Sequence, residues 1–326
     1  MACSGPSGVA RSTTKHKVTL LGLGRMGRRH VRVFRELCDR FQVVGGYDPR
    51  SDDDSLDGLE RLETEDEAIA RGELVIVATP IACHADTVVR ALDAGKHVFV
   101  EKPLCATLSE ARRVVMAARG RGRLFVGHSE RFNPVVRSLV GLIRGDGVVS
   151  MDLRRESLGR PGDGGALVNL GVHDLDLAAY LGGGEIVFRG ATGPASEAEE
   201  DFAHVLFSTA RGAPGHLYVS RTSPTPCRKL VLTTHRWVYE GDLASHRLGR
   251  AARGTSAWTE VAVVAEQALV AQAMALADDL DGRPSRELAN GLDGARAVAV
   301  AEMARAAFDG RNALRSLGRR PFQRRA

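Results

Sequence analysis

The stretch Val18-Thr19-Leu20-Leu21 runs without a break into Gly22-Leu23-Gly24-Arg25-Met26-Gly27. Four apolar residues in a row fit a strand buried on both faces, and the glycine pattern after them opens a helix with apolar residues at three- and four-residue spacing. Each glycine has its own task. Gly22 permits the tight turn, Gly24 lets a backbone come close to a pyrophosphate, and Gly27 allows the new helix to pack closely. The free N–H groups of that helix face the anion, so Gly24, Arg25, Met26 and Gly27 are expected to hold a dinucleotide's phosphates. The next apolar run ends in Tyr47-Asp48, which places Asp48 to accept hydrogen bonds from a ribose. A carboxylate there favours NAD, whereas Arg50, two residues on, offers a 2′-phosphate a partner and keeps NADP open.

Outward from this loop, short apolar runs alternate with helical periods as far as Gly127. The runs are Val18–Leu21, Gln42–Tyr47, Leu74–Ala78, Val98–Val100 and Leu124–Val126. That alternation predicts an α/β, doubly wound parallel sheet of Rossmann type. After a linking helix at Asn133–Ile143 the pattern changes to consecutive strands, from Val148–Glu156 to Trp237–Glu240, interrupted by one helix at Leu167–Leu181. This predicts a C-terminal α+β domain on a mostly antiparallel sheet, closed by helices at Glu266–Leu280 and Leu292–Phe308. Gly215–Ser223 is expected as one strand, with Tyr218, Ser220 and Thr222 on one face. The expected organisation is a tail at 1–16, a dinucleotide-binding domain at 17–130, a substrate and oligomerisation domain at 131–312, and a basic tail at 313–326.

The chain has 326 residues, 44% hydrophobic and 26% charged, values of a globular protein rather than a disordered or membrane-spanning one. Its formal charge of +5 is matched by Arg315, Arg319, Arg320, Arg324 and Arg325 near the C-terminus. The body is close to neutral, which argues against a nucleic-acid partner. Five scattered cysteines without CxxC spacing fit small buried hydrophobes in a reducing cytoplasm better than a disulfide framework. His84, His97 and His128 lack metal-ligand spacing, so no metal is expected.

Only five of the 45 basic residues are lysines, and only lysine can be tuned to release its proton. Lys102 stands in Glu101-Lys102-Pro103, just past the fourth parallel strand. It is either a surface residue before a turn or a group pointing at the chemistry, because ligands meet parallel sheets at the carboxyl ends of their strands. A histidine, His173, follows Asn169 by four residues on the lone helix of the second half and shares its face. Such a residue either completes a core or exchanges the proton that accompanies hydride transfer.

Three stretches together resemble the glucose–fructose oxidoreductase, inositol dehydrogenase and rhizopine-catabolism family of NAD(P)-dependent oxidoreductases. They are GLGRMG, then VATPIACH (Val77–His84) with Glu101-Lys102-Pro103, then GGALVNLGVHDLD (Gly164–Asp176). GHSERFNP (Gly127–Pro134) is most similar to the branch containing UDP-N-acetylglucosamine 3-dehydrogenases. The resemblance implies an NAD(P)-dependent enzyme interconverting a secondary alcohol and a ketone on a sugar, nucleotide sugar or cyclitol. It implies Lys102 and His173 as active-site groups, and Thr79, Pro80, His84 and Glu101 as cofactor-facing positions. Arg131 and Asn133 would lie near nicotinamide and substrate, and copies of the chain would associate through the second domain's sheet. A nucleotide sugar's phosphate would meet a folded arginine such as Arg154, Arg155 or Arg160. One position departs from the family pattern: Asn169 stands where an aspartate is usual. It can bond a hydroxyl but takes no proton, which moves that role to His173 or Lys102. An imine, amino-acid or tetrapyrrole substrate, or a non-catalytic NAD(P) sensor, are the alternatives the same fold offers.

Overall fold

A computed structural model describes residues 15–50, 58–159, 164–194 and 199–318. The chain forms two compact units, one comprising residues up to Arg137 with Val264–Ala295, the other Ser138–Val263 with the chain from Arg296.

The first unit is built on strands β1 (His16–Leu21), β2 (Phe41–Tyr47), β3 (Leu74–Val77), β4 (His97–Val100) and β5 (Leu124–Val126), all parallel, in the order β2-β1-β3-β4-β5. Leu74, Val75, Ile76 and Val77 have no exposed surface, as expected of a central parallel strand covered by helices on both faces. The covering helices are α1 (Arg25–Glu36), α2 (Glu65–Arg71), α3 (Ile81–Asp93) and α4 (Leu108–Ala117). Phe34 of α1 meets Phe41 edge-on at 4.8 Å, within a core that includes Leu20, Ile76, Phe99 and Phe125. A short 3-10 turn at Ser129–Phe132 leads into α5 (Pro134–Leu142).

The second unit carries an eight-stranded sheet. Its strands are β6 (Val148–Leu158), β7 (Ile186–Thr192), β8 (Phe202–Thr209), β9 (Pro214–Ser220), β10 (Thr222–Thr234), β11 (Trp237–Asp242), β12 (Arg247–Ala252) and β13 (Thr259–Val261), ordered β13-β12-β11-β10-β6-β9-β8-β7. Every pairing is antiparallel except β6 with β9. Alternation along β8 and β9 sends Val205, Phe207, Leu217 and Val219 inward. On the other face Leu158, Phe202 and Leu206 stay exposed. Helix α6 (Val172–Gly182) contributes buried Leu175 and Ala178.

The chain then returns to the first unit as α7 (Ala268–Leu280), an alanine-rich segment with high helix propensity. It is tied there by Arg40 to Asp278 and Asp281, both at 2.9 Å. A two-residue strand, β14 (Ala289–Asn290), adds antiparallel to β5, and α8 (Gly291–Gly318) closes the chain.

Several elements differ from the sequence reading. The helix expected at Leu167–Leu181 begins as a π turn over Leu167–Gly171 before α6. The strand expected at Gly215–Ser223 ends at Ser220, and Thr222 starts β10; the Ser220 and Thr222 hydroxyls instead meet at 3.1 Å across that corner. β12, β13 and β14 carried no legible signal, and α8 runs on to Gly318, beyond Phe308 and into the stretch expected as a basic tail. The cysteines also differ: Cys105 is buried, but Cys83 is exposed. The N-terminal tail as far as residue 14, the aspartate-rich loop 51–57, Arg160, and the arginines from Arg319 onward lie outside the described residues.

Candidate active site

The carboxyl ends of β1, β2 and β3 open into a cleft of about 770 Å³, lined by Gly22, Gly24, Asp48, Arg50, Thr79 and Pro80 among others. The local geometry separates the three glycines. Gly22 has φ +88°, where a side chain would meet the Ala78 carbonyl oxygen at 2.5 Å. At Gly27 a Cβ would stand 1.9 Å from the Gly22 carbonyl oxygen, so the helix can approach the turn only without one. At Gly24 nothing lies within 4 Å of that position; its lack of a side chain leaves open space on the cleft wall. Gly24 is also the N-cap of α1 and offers no side-chain cap, which leaves the first-turn N–H groups available to an anion.

Asp48 holds this loop in place. Its carboxylate accepts from the Leu23 N–H at 2.8 Å and from the Arg50 N–H at 2.9 Å. Each oxygen keeps capacity for a further donor, such as a ribose hydroxyl. Arg28 donates to the Leu23 carbonyl at 3.0 Å and lines the cleft together with Arg50. The Thr79 hydroxyl is buried without a hydrogen-bond partner, and an unsatisfied donor on a cleft wall fits a polar ligand. The residues present thus suit a dinucleotide.

Glu101, Lys102 and Pro103 follow β4. Glu101 is buried and accepts from His30 Nε2 at 2.7 Å, and the Lys102 N–H donates to its other oxygen at 3.2 Å. Burial pushes the Glu101 carboxyl up, but the His30 hydrogen bond and the nearby charges of His30 and Lys102 outweigh it and hold the group below its usual range. Its carboxylate is therefore an anchor for the strand end. Lys102 itself is half-buried.

His84, on α3, stands with Nδ1 2.9 Å from the Pro103 carbonyl and Nε2 3.0 Å from the Thr79 carbonyl. It bridges the loops after β3 and β4, and a neutral ring donates to only one of the two. Burial pushes its pKa down despite both carbonyls. His84 thus acts on the cleft through the loop that carries Thr79. Two further expected residues are also engaged within this unit. Arg131 is buried and faces Asp293 at 3.4 Å. The Asn133 amide donates to Glu130 at 3.2 Å, while its oxygen accepts from the Val135 N–H at 3.1 Å and so caps α5.

In the second unit Asn169 lies in the π turn and His173 in the first turn of α6, both half-buried. Their four-residue spacing therefore spans a junction of two helix types. Asp174, next to His173, is buried and receives Nε of Arg155, a residue of β6, at 2.5 Å. Arg155 is thus committed inside the unit rather than open to a phosphate. Arg154, its neighbour, points to the opposite face, over the Tyr218 ring at 5.0 Å.

The sequence reading missed His30 and Arg28, and it gave Arg155 a phosphate rather than Asp174 as its partner. Only Arg28 had a local signal, one turn beyond Gly24. Among the described residues no group of three or more His, Cys, Asp or Glu side chains could hold a metal ion, and no helix is long and apolar enough to cross a membrane.

Residues 16–128 match the model of an oxidoreductase family with an NAD-binding Rossmann fold, and 144–259 match the GFO/IDH/MocA C-terminal domain. The rhizopine catabolism protein MocA of Rhizobium meliloti is 30% identical over 232 residues, covering 65% of this chain and 73% of that protein. The scyllo-inositol 2-dehydrogenase (NAD(+)) of Bacillus subtilis is 28% identical, covering 74% of this chain and 79% of its own length. Among solved structures, the UDP-N-acetylglucosamine 3-dehydrogenase of Acidithiobacillus ferrooxidans superposes with a TM-score of 0.81 at 21% identity, covering 90% of this chain and 98% of that one.

Proposed function

The chain belongs to the GFO/IDH/MocA oxidoreductase family, and from that premise we propose that it interconverts a secondary alcohol and a ketone on a sugar, nucleotide sugar or cyclitol. NAD is the coenzyme, with NADP as the alternative that Arg28 and Arg50 leave open. The observation that carries this reading is the cleft itself. An uncapped helix start, an open glycine, an unpartnered Thr79 hydroxyl and the Asp48 carboxylate meet at one sheet edge.

When bound, the dinucleotide supplies the hydride acceptor or donor. The first-turn N–H groups of α1 would hold its pyrophosphate and Asp48 its ribose. We assign Lys102 to the reacting oxygen, where its ammonium polarises a carbonyl or stabilises the alkoxide. His173 takes or returns the hydroxyl proton, and Asn169 bonds a neighbouring hydroxyl without titrating. His84 and Glu101 keep the Thr79 and Lys102 loops in place.

The exposed face of the second sheet, with Leu158, Phe202 and Leu206, is assigned to a second copy of the chain. A cytoplasmic location follows from the coenzyme pool such an enzyme draws on.

The test is turnover by Lys102→Ala, Lys102→Arg and His173→Gln on a panel comprising a cyclitol, a free hexose and a UDP-sugar. Lys102→Ala is expected to lower kcat at least about tenfold with coenzyme affinity little changed. If Lys102 only polarises, Lys102→Arg recovers part of the loss; if it carries the proton, arginine cannot. Near-normal turnover by Lys102→Ala removes the lysine from the mechanism, and silence of the wild type on the whole panel removes the substrate class.

A further inference from the structure

We propose that the buried Arg155–Asp174 ion pair is a register pin for the helix that carries Asn169 and His173, and that Arg155 is therefore a positioning residue of the reaction. The inference rests on the reading in which His173 handles the proton.

The helix does not start as an α-helix. Leu167–Gly171 forms a π turn, which passes into α6 at Val172. A π turn holds more chain per turn than the α-helix it interrupts, and it is rare, occurring mostly as a single turn inside an α-helix and often at functional sites. Both ends are fixed here by buried charge. At the start, Glu200, only 2% exposed, accepts from the Leu167 N–H at 2.7 Å through one oxygen and from Arg305 Nε at 2.8 Å through the other. The Glu200 carbonyl also accepts from the Ala166 N–H at 2.8 Å. Past the π turn, Arg155 reaches both oxygens of Asp174, with Nε on one and Nη2 on the other at 3.3 Å. These side chains are 4% and 1% exposed.

Arg155 is mounted on a rigid base. It lies in β6, opposite Val219 of β9 on one side and Arg228 of β10 on the other. The stretch from Leu167 to Asp174 is therefore held between two points of the same unit, and the π turn is how the chain takes up the residues between them. Relaxation to a regular α-helix would slip the register by one residue and turn every later side chain about 100° around the axis. Asp174 would leave Arg155, breaking the two-point contact of a buried ion pair, which is costly. The pair thus forbids the slip, and His173, the residue just before Asp174, inherits its direction.

Stability alone is a poor account of this pair. Well-packed apolar residues in place of a buried ion pair are often neutral or better, whereas fixing a register is the best-attested use of such pairs.

A double-mutant cycle decides the matter. Arg155→Met, His173→Gln and the double variant are compared for single-turnover rate, coenzyme Kd and thermal midpoint. Misplacing a catalytic group by about an ångström costs up to about 100-fold, so Arg155→Met is expected to lower the rate about 30-fold while coenzyme Kd stays within about twofold. In the His173→Gln background the same change is expected to cost less than about threefold, because the group it positions is already gone. Arg155→Lys, which keeps the charge but not the two-point contact, is expected between Met and wild type. Equal losses in both backgrounds, or a folded Arg155→Met with wild-type turnover, overturn the proposal. Should Arg155→Met fail to fold, Asp174→Asn is run through the same cycle, where unequal losses support the pin and equal losses overturn it. A His173→Gln enzyme as fast as wild type marks the failure of the His173 reading itself, a result separable from any outcome at Arg155.

Discussion

The Asp48 carboxylate accepts a hydrogen bond from the Leu23 N–H at 2.8 Å, so the residue at the end of β2 braces the glycine turn at the end of β1. One side chain therefore shapes the phosphate loop and presents negative charge to the ribose. Asp48→Asn keeps an acceptor for Leu23 but removes the charge that repels a 2′-phosphate. With Arg28 and Arg50 on the same cleft wall, kcat/KM with NADP is expected to rise about tenfold, roughly 1.4 kcal/mol, while that with NAD falls by a smaller factor. Initial rates with each coenzyme measure this, and an unchanged preference would show that Asp48 braces the loop and does not select.

The glycines of the loop should separate by assay. Gly24→Ala adds a methyl where nothing lies within 4 Å, so the thermal midpoint is expected to hold while coenzyme Kd rises about tenfold as the methyl takes pyrophosphate space. Gly27→Ala would place a methyl against the Gly22 carbonyl at 1.9 Å. It is expected to destabilise the unit by at least about 2 kcal/mol through overpacking. Calorimetry and coenzyme titration on both variants read the contrast, which fails if they lose stability equally.

His84 makes stability fall with acid. Its pKa is lowered in the folded protein, by burial above all, so the unfolded chain binds the proton more readily. The associated stability is fully present above the ordinary histidine pKa of about 6.5 and is lost as pH falls through the lower folded value. His97 is lowered too, by burial and then by Arg123, and adds to the same slope. The thermal midpoint is expected to drop between about pH 7 and pH 5, and His84→Gln is expected to flatten part of that drop although it starts lower. A slope unchanged by the substitution would place the acid sensitivity elsewhere.

The assigned contact between copies is open to a direct test. Leu206 lies on the uncovered sheet face and is 54% exposed. Leu206→Asp is expected to shift the assembly towards monomer in sedimentation at micromolar concentration, with little change in thermal midpoint for the monomer. An assembly of wild-type size would assign the contact to another surface.

The cleft was legible in sequence because its parts are local. A strand, three glycines and a helix start are consecutive, and Asp48 stands at a strand end that periodicity alone locates. Lys102 was legible for the same reason, at the carboxyl end of a strand, whereas Glu101 was reached through the family resemblance. The supports were not legible. His30 and Glu101 are 71 residues apart and Arg155 and Asp174 are 19 apart, and no local pattern joins such pairs. The π turn was hidden as well, because Leu167–Leu181 reads as one regular helix unless the buried charges at its ends are known.

From its amino acids alone this chain declares two folded bodies of different architecture and a dinucleotide cleft, which follow from hydrophobic period and from what glycine can do locally, while Lys102, Asn169 and His173 became active-site candidates through the resemblance of their motifs to a family. Tertiary structure decided which polar residues are supports and which remain open to a ligand: His84, Asn133 and Arg155 were committed to partners inside their own units, while Gly24 and Thr79 were left facing the cleft. The reason is desolvation. A buried polar or charged group must find a partner wherever the fold brings one, and that partner's place in the chain is set by packing rather than by sequence neighbourhood.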